Sequence, residues 1–227
     1  MWNAGNGFMA IWSDVGPGDF DFYHRWLLKE HFPERVAIPG FIAARLFRRQ
    51  AGPDFQFFII YETDSPEVLA SPAYLARLNN PTPMTQKVMP KLKNFVRGAG
   101  RVVQSSGVCG GGVAQVVRLA ESHSILSDRD ARSALFKRAS EMDRVLAIRL
   151  FEVDTAATTI QTEEKKIRIS KEEIYSQLLM IEAVDFEAFK AVSELLSASL
   201  FLQEKYNHLP HDQSYQFIAE LQGRSLN

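Results

Sequence analysis

His31 is the side chain in this sequence best suited to chemistry, because an imidazole near its ordinary pKa gives or takes a proton at neutral pH. It ends a stretch, Asp19 to His31, in which Phe20, Tyr23, Leu27 and His31 share one side of a helical wheel and Asp21, Arg25 and Lys29 the other. The bland role open to it is packing under a sheet or complementing the negative end of a helix. His24 lies two turns earlier, about 10.5 Å along the axis, too far for both to hold one metal directly. His208 and His211 are three apart, but Pro210 between them argues for a loop, and nothing nearby completes a ligand set. No metal site is expected.

Arg45, Tyr61 and Glu62 fall on neighbouring predicted strands, where they can face a pocket and orient a carboxylate or carbonyl. The alternative is structural: Arg45 and Arg149 occupy matching places in the two halves and can pair with Glu62 and Glu182. Trp12, Tyr23, Trp26 and Tyr74 can line a site for an aromatic ligand, although buried aromatics more often serve the core. Cys109 sits among glycines with no group beside it to lower its pKa, which a catalytic thiolate needs. Gly110-Gly111-Gly112 has neither a G-x-G-x-x-G pattern nor a P-loop lysine, so it is no phosphate loop.

The elements that must position these residues form one pattern written twice. The first half predicts a strand from Gly7 to Trp12, a helix capped by Asp19 and stopped by Pro33, and strands over Phe41–Arg49 and Phe55–Glu62. A helical region broken by Pro81, Pro83 and Pro90 follows, then a strand from Phe95 to Gln104. The small residues Ser105 to Gly112 read as a linker. The second half repeats the order: strand Val113–Leu119, helix Ser127 to Met142, strands Val145–Val153 and Ile174–Val184, helix Phe186–Leu202 and strand Tyr215–Leu221.

Ile42-Ala43-Ala44-Arg45-Leu46-Phe47 matches Leu146-Ala147-Ile148-Arg149-Leu150-Phe151, 104 positions later. Phe57 to Glu62 parallels Gln177 to Glu182, 120 positions on, so the second hairpin, Thr155 to Glu173, is longer by 16 residues. The fold class expected is α+β: two ferredoxin-like βαββαβ modules in tandem, residues 1–105 and 113–227, joined by 106–112. Strands as apolar as Phe55 to Tyr61 need cover on both faces. The second module supplies that cover, and the space between the two sheets is the expected pocket. A polar-lined cavity there of about 300 Å³ or more containing His31 would favour an enzyme.

Composition sets the outer limits. Of 227 residues, 46% are hydrophobic and 23% charged, ordinary values for a chain with a packed core. A net charge of −1, from 26 basic and 27 acidic residues, lacks the basic footprint of a nucleic-acid binder. One cysteine precludes a disulfide within the chain, and no stretch reaches the roughly 18–20 apolar residues of a membrane helix. A soluble, cytoplasmic protein without a membrane or nucleic-acid partner is expected.

Trp26, Glu30-His31-Phe32-Pro33-Glu34-Arg35, Ile38-Pro39-Gly40-Phe41 and Ala44-Arg45 resemble the EthD-like branch of the dimeric α+β barrel superfamily. Ser65-Pro66-Glu67-Val68-Leu69, Ser71-Pro72-Ala73-Tyr74 and Asn80-Pro81-Thr82 extend the resemblance over residues 8–105. It implies a barrel built from paired modules, here an internal pseudo-dimer whose free edges could still join two chains as a homodimer. It also implies cofactor-free acid–base chemistry of the isomerase, cyclase, dehydratase or monooxygenase type on a small cyclic or aromatic compound. Some superfamily members carry haem, but no histidine here has a recognisable haem-ligand context, and no cofactor is expected. In the second half the 104 offset puts Leu135 where His31 stands and Lys137 where Pro33 stands. Any site is then asymmetric, with His31 as its acid–base group and Trp12, Tyr23, His24, Arg45, Tyr61 and Tyr74 as candidate ligand contacts. The competing reading is a non-catalytic module that binds a small ligand or assembles with itself.

Overall fold

The computed structural model describes residues 5–49, 55–119, 124–154, 160–168, 175–200 and 214–223. His208, His211, the far end of the predicted helix to Leu202 and much of the Thr155–Glu173 hairpin lie outside the described residues. Eight strands are described: β1 (Gly7–Val15), β2 (Phe41–Arg48), β3 (Phe55–Thr63), β4 (Lys93–Gly107), β5 (Val113–Leu119), β6 (Val145–Val153), β7 (Gln177–Ala183) and β8 (Ser214–Gln222). They close into one antiparallel barrel in the order β1-β3-β2-β8-β5-β7-β6-β4. Each half contributes its four strands in the same internal order, and the halves are stitched at two seams, β2 to β8 and β4 to β6.

Closure corrects three expectations. No free edge is left among the described strands, so the edge-to-edge homodimer has no edge to use. Residues read as linker belong to the seam: Ser105, Ser106 and Gly107 pair with Arg149, Ile148 and Ala147. Gly107 has φ +89°, and a Cβ there would lie 2.1 Å from the Leu146 carbonyl oxygen, which explains its small residue. The third correction concerns the pocket. Phe8, Trp12, Phe47, Phe58, Ile60, Phe151, Tyr175, Leu178, Met180 and Tyr215 fill the barrel's interior as one core cluster. Strand alternation sends their neighbours outward, so the strands read as apolar throughout because both faces are buried.

Outside the barrel lie α1 (Phe20–Trp26), α2 (Phe32–Val36), α3 (Pro72–Leu78), α4 (Pro83–Val88), α5 (Ser124–Ser127), α6 (Arg129–Ser140), α7 (Glu163–Ile167) and α8 (Ala188–Leu200). Pro33 does not end the first helix. Between α1 and α2, Leu27–His31 form a π-helical turn in which the Phe32 N–H bonds the Leu27 carbonyl. Pro33 then begins a fresh α turn, where its missing N–H is harmless. Asp19 makes no side-chain cap and pairs instead with Lys91 at 2.6 Å.

One end of the barrel interior is ionic. Glu182, fully buried, accepts from Arg45 at 2.6 Å, from Arg149, and from the Gly111 N–H at 3.2 Å. Its counterpart Glu62 accepts from the Gly5 N–H at 3.1 Å. Burial alone would push the Glu182 carboxyl up, but Arg45 and Arg149 outweigh burial and hold it below the usual carboxylate range. Removing one member of a buried ion cluster strands the others, at a cost of about 3–5 kcal/mol. Glu182→Leu should therefore lower unfolding free energy by that amount in urea titrations. A loss under about 1 kcal/mol would show that the cluster is not needed for stability.

Candidate functional site

The cavity that holds His31 lies outside the barrel, between the outer face of the first-half sheet and its helices. The sheet presents Met9, Ile11, Ser13, Ile59 and Tyr61, the residues that alternate with those filling the barrel. The helical wall presents Tyr23, Trp26, His31 and Arg35, with Tyr74 from α3. A third wall comes from the second half: Ile160 to Arg168, part of the longer hairpin, crosses over and brings Thr162, Glu164, Lys165 and Arg168 to the cavity. The volume is about 60 Å³, room for roughly four to six waters. That is well below the expected 300 Å³, and the space is not between sheets. His31 nevertheless does not face solvent; it is 5% exposed.

The motif residues explain how His31 is held. Its ring packs on Trp26 with centroids 4.3 Å apart. Trp26 donates from Nε1 to Thr85 Oγ1 at 2.9 Å, and Thr82 caps α4 while donating to Glu30. Thus the Asn80-Pro81-Thr82 segment buttresses the Glu30-His31 helix. The Pro39-Gly40 turn closes behind it: Gly40 has φ +90°, and a Cβ there would meet Val68 at 2.5 Å. The π turn sets the phase of the helix so that His31 and Arg35, four residues apart, both line the cavity.

Arg35 is 1% exposed and forms an ion pair through Nη2 with Glu164 of α7. Burial is the largest single influence and opposes its charge, but Glu164, Tyr74 and Tyr61 together outweigh it and raise the guanidinium's pKa. Burial, and then the charge of Arg35, drive the His31 pKa well below its ordinary value, so the imidazole is neutral at pH 7. Burial raises the Tyr61 phenol well above its ordinary value, which keeps it a donor. Three buried polar atoms of this wall have no hydrogen-bond partner: His31 Nδ1, Arg35 Nη1 and Tyr61 Oη. An unmet buried polar atom is costly, and three on one cavity mark a place for a polar ligand group.

Of the sequence candidates, the structure brings His31, Tyr23, Tyr61 and Tyr74 together. Tyr23 is engaged with Ser13 at 3.2 Å, and Tyr74 donates to Met9 Sδ at 3.2 Å. Three candidates lie elsewhere. Trp12 packs inside the barrel against Phe58 and Tyr175, and Arg45 bonds Glu182 there. His24 is partly exposed and stacks on Phe20 at 5.5 Å. Arg35, named in the sequence only as part of the motif, and Glu164 were not among the site candidates, although an i, i+4 spacing from His31 and an over-long hairpin pointed to them. Among the described residues no group of His, Cys, Asp and Glu could hold a metal ion. In the second half, the positions matching His31, Arg35 and Tyr61 are Leu135, Ala139 and Ile181, all within one apolar cluster.

No family model and no curated protein sequence matches this chain. Solved structures do. The chain is an α+β protein built on a closed, eight-stranded antiparallel barrel, and its structural neighbours share that fold. A proposed monooxygenase from Fusobacterium nucleatum superposes with a TM-score of 0.56 at 7% identity, over 97% of this chain and 95% of that one. A proposed monooxygenase from Lactobacillus acidophilus gives 0.52 at 7% identity, over 96% and 97%. Chlorite dismutase from Candidatus Nitrospira defluvii, in complex with imidazole, gives 0.52 at 9% identity, over 96% and 93%. At such identities the likeness establishes the fold. No helix of the described residues is long and apolar enough to cross a membrane.

The depressed His31 pKa makes a stability prediction. Below about pH 6.5 the unfolded chain binds a proton at this position that the folded chain refuses, so stability is full above that pH and falls as pH drops through it. The slope from one such group is at most about 1.4 kcal/mol per pH unit. Between pH 7 and pH 5, wild type should lose about 1–2 kcal/mol more than His31→Gln in urea titrations. Equal losses would mean that His31 titrates normally.

Proposed function

We propose that this chain is an enzyme that moves a proton on a compact, largely apolar molecule bearing a carbonyl, enol or phenol oxygen. The observation that carries this reading is that His31, Arg35 and Tyr61, each with a buried polar atom that lacks a hydrogen-bond partner (Nδ1, Nη1 and Oη), line one cavity. Arg35 and Tyr61 donate to the substrate oxygen and stabilise the charge that develops there. His31, neutral at pH 7, accepts the proton and can return it at another atom. Isomerisation, cyclisation and dehydration share this step, and cofactor-free oxygenation starts from the anion it leaves. These are the reaction types that the EthD-like resemblance implies.

The architecture behind the site is, in this reading, two ferredoxin-like modules of residues 1–105 and 113–227, an internal pseudo-dimer in which only the first keeps polar equipment. The matching strand orders and the 104-residue spacing of Arg45 and Arg149 support it. The chain is proposed to act in the cytoplasm. A haem does not fit the site: a porphyrin needs a pocket in the range of about 300–1,000 Å³. The cavity beside His31 offers about 60 Å³, and the larger groove at the barrel's end has no histidine in its wall.

The test is solvent deuterium exchange into small cyclic β-diketones and phenols, followed by proton NMR. Wild type should accelerate C–H exchange, and His31→Gln should slow it by about 10²–10⁴-fold. Compounds that raise the melting temperature without exchanging faster would make this a binding module instead.

A further inference from the structure

We propose that residues 160–168, the wall supplied by the second half, form a movable flap, and that a ring-sized ligand reaches His31 through the space left when Glu164 parts from Arg35. This deepens the proton-transfer reading and rests on it for the size of the ligand. The first support is volume. The cavity holds about 60 Å³, whereas one benzene ring is bound by a cavity of roughly 150 Å³. A cyclic substrate therefore needs one of the three walls to give way.

Two of the walls are fixed by the fold. β1 is paired to β3 and β4, and β3 to β1 and β2, so moving the sheet breaks ladders of the closed barrel. The helical wall runs on through the π turn, and Tyr23, Trp26, Leu27 and Phe32 anchor it in the first core cluster at no more than 2% exposure. Trp26 and Glu30 tie it further to Thr85 and Thr82. The flap is built differently. None of its residues belongs to a described strand. Its α7 is five residues long, with Thr162 as its own N-cap and an exposed Lys166–Glu163 pair at 2.6 Å. These internal bonds let it move as a unit.

The second support is the kind of contact that seats the flap. Its ties to the first half include the Glu164–Arg35 ion pair, the Glu163 N–H donating to Asn79 Oδ1 at 3.2 Å, and the Arg168 guanidinium 3.9 Å from the Phe95 ring centroid. Ile167 adds a partly buried apolar contact. Water can replace the polar ties when the flap lifts. Both ions of the pair are then hydrated together, so neither is stranded in the interior. Elements seated in this way open at lower free energy than the strands of a core. With the flap in place, Arg35 is 1% and His31 5% exposed, a setting in which their interaction is stronger than in water.

Modification of imidazoles by diethyl pyrocarbonate at pH 7, read peptide by peptide by mass spectrometry, reports access to His31 without any substrate. The partly exposed His24 is the internal reference. Asn79→Cys and Glu163→Cys, both at exposed positions, are combined with Cys109→Ser and joined by a short bismaleimide. The same variant capped with N-ethylmaleimide is the control. The tether should slow modification of His31 at least about tenfold against that control while His24 reacts equally, and Glu164→Gln should speed it severalfold. Glu182→Leu, which weakens the barrel without touching the flap, should leave the His31 rate unchanged. The tether should also suppress diketone exchange. Equal His31 rates in tethered and capped protein, a rate that follows global stability across the variants, or exchange undiminished by the tether overturns the inference. A tether that protects His31 in a protein that exchanges no diketone keeps the flap and discards the proton-transfer reading.

Discussion

A guanidinium buried away from water must be compensated, and in this protein the compensation for Arg35 comes from the other half of the chain. Much of the site follows from that one pair. Glu164 compensates the charge of Arg35 against burial, and that charge reinforces burial in holding His31 neutral. Residues 160–168 of the second half reach Arg35 and form one wall of the cavity, bringing Lys165 and Arg168 with them. The pair thus adds to the contacts that join the two halves outside the barrel, among them Arg168 on Phe95 and the Glu163 N–H donating to Asn79.

The barrel explains why the site lies where it does. Aromatic and aliphatic side chains fill its interior, and the Arg45, Arg149, Glu62 and Glu182 positions occupy one end with ions that bond one another or backbone N–H groups. Among the described residues, a packed cluster of side chains occupies the space between the sheets. The outer faces differ: the second half packs Leu135, Phe136, Phe189 and Leu196 tightly against its strands, while the first half keeps His31, Arg35 and Tyr61 around an unfilled cavity. Two halves of like topology thus differ in how their outer faces are filled.

The sequence made the barrel and the asymmetry legible because both are written in strong signals. Strands apolar on every residue demand cover on two faces, and matching apolar runs recur in order. The same signal hid the pocket. When both faces of a strand are apolar, alternation no longer says which face meets a cavity, so Trp12 and Arg45 were assigned to the site although they point into the barrel. Arg35 was concealed by Pro33, which normally stops a helix but here follows a π turn that lets the helix run on to Val36. Glu164 could not be placed because pairing across 129 positions depends on the tertiary path of the hairpin. That His31 shares the buried face of its helix with Tyr23 and Leu27 was legible because helical spacing is local.

The central claim is that His31 sits neutral beside a charged Arg35 in a cavity walled on one side by the second half. Imidazole nitrogen NMR of selectively labelled protein, followed through a pH titration, tests it most directly. The account predicts a His31 resonance that stays neutral as pH falls through 6.5, while Glu164→Gln shifts it. A His31 that gains its proton at or above pH 6.5, with a signal indifferent to Glu164→Gln, would contradict the account.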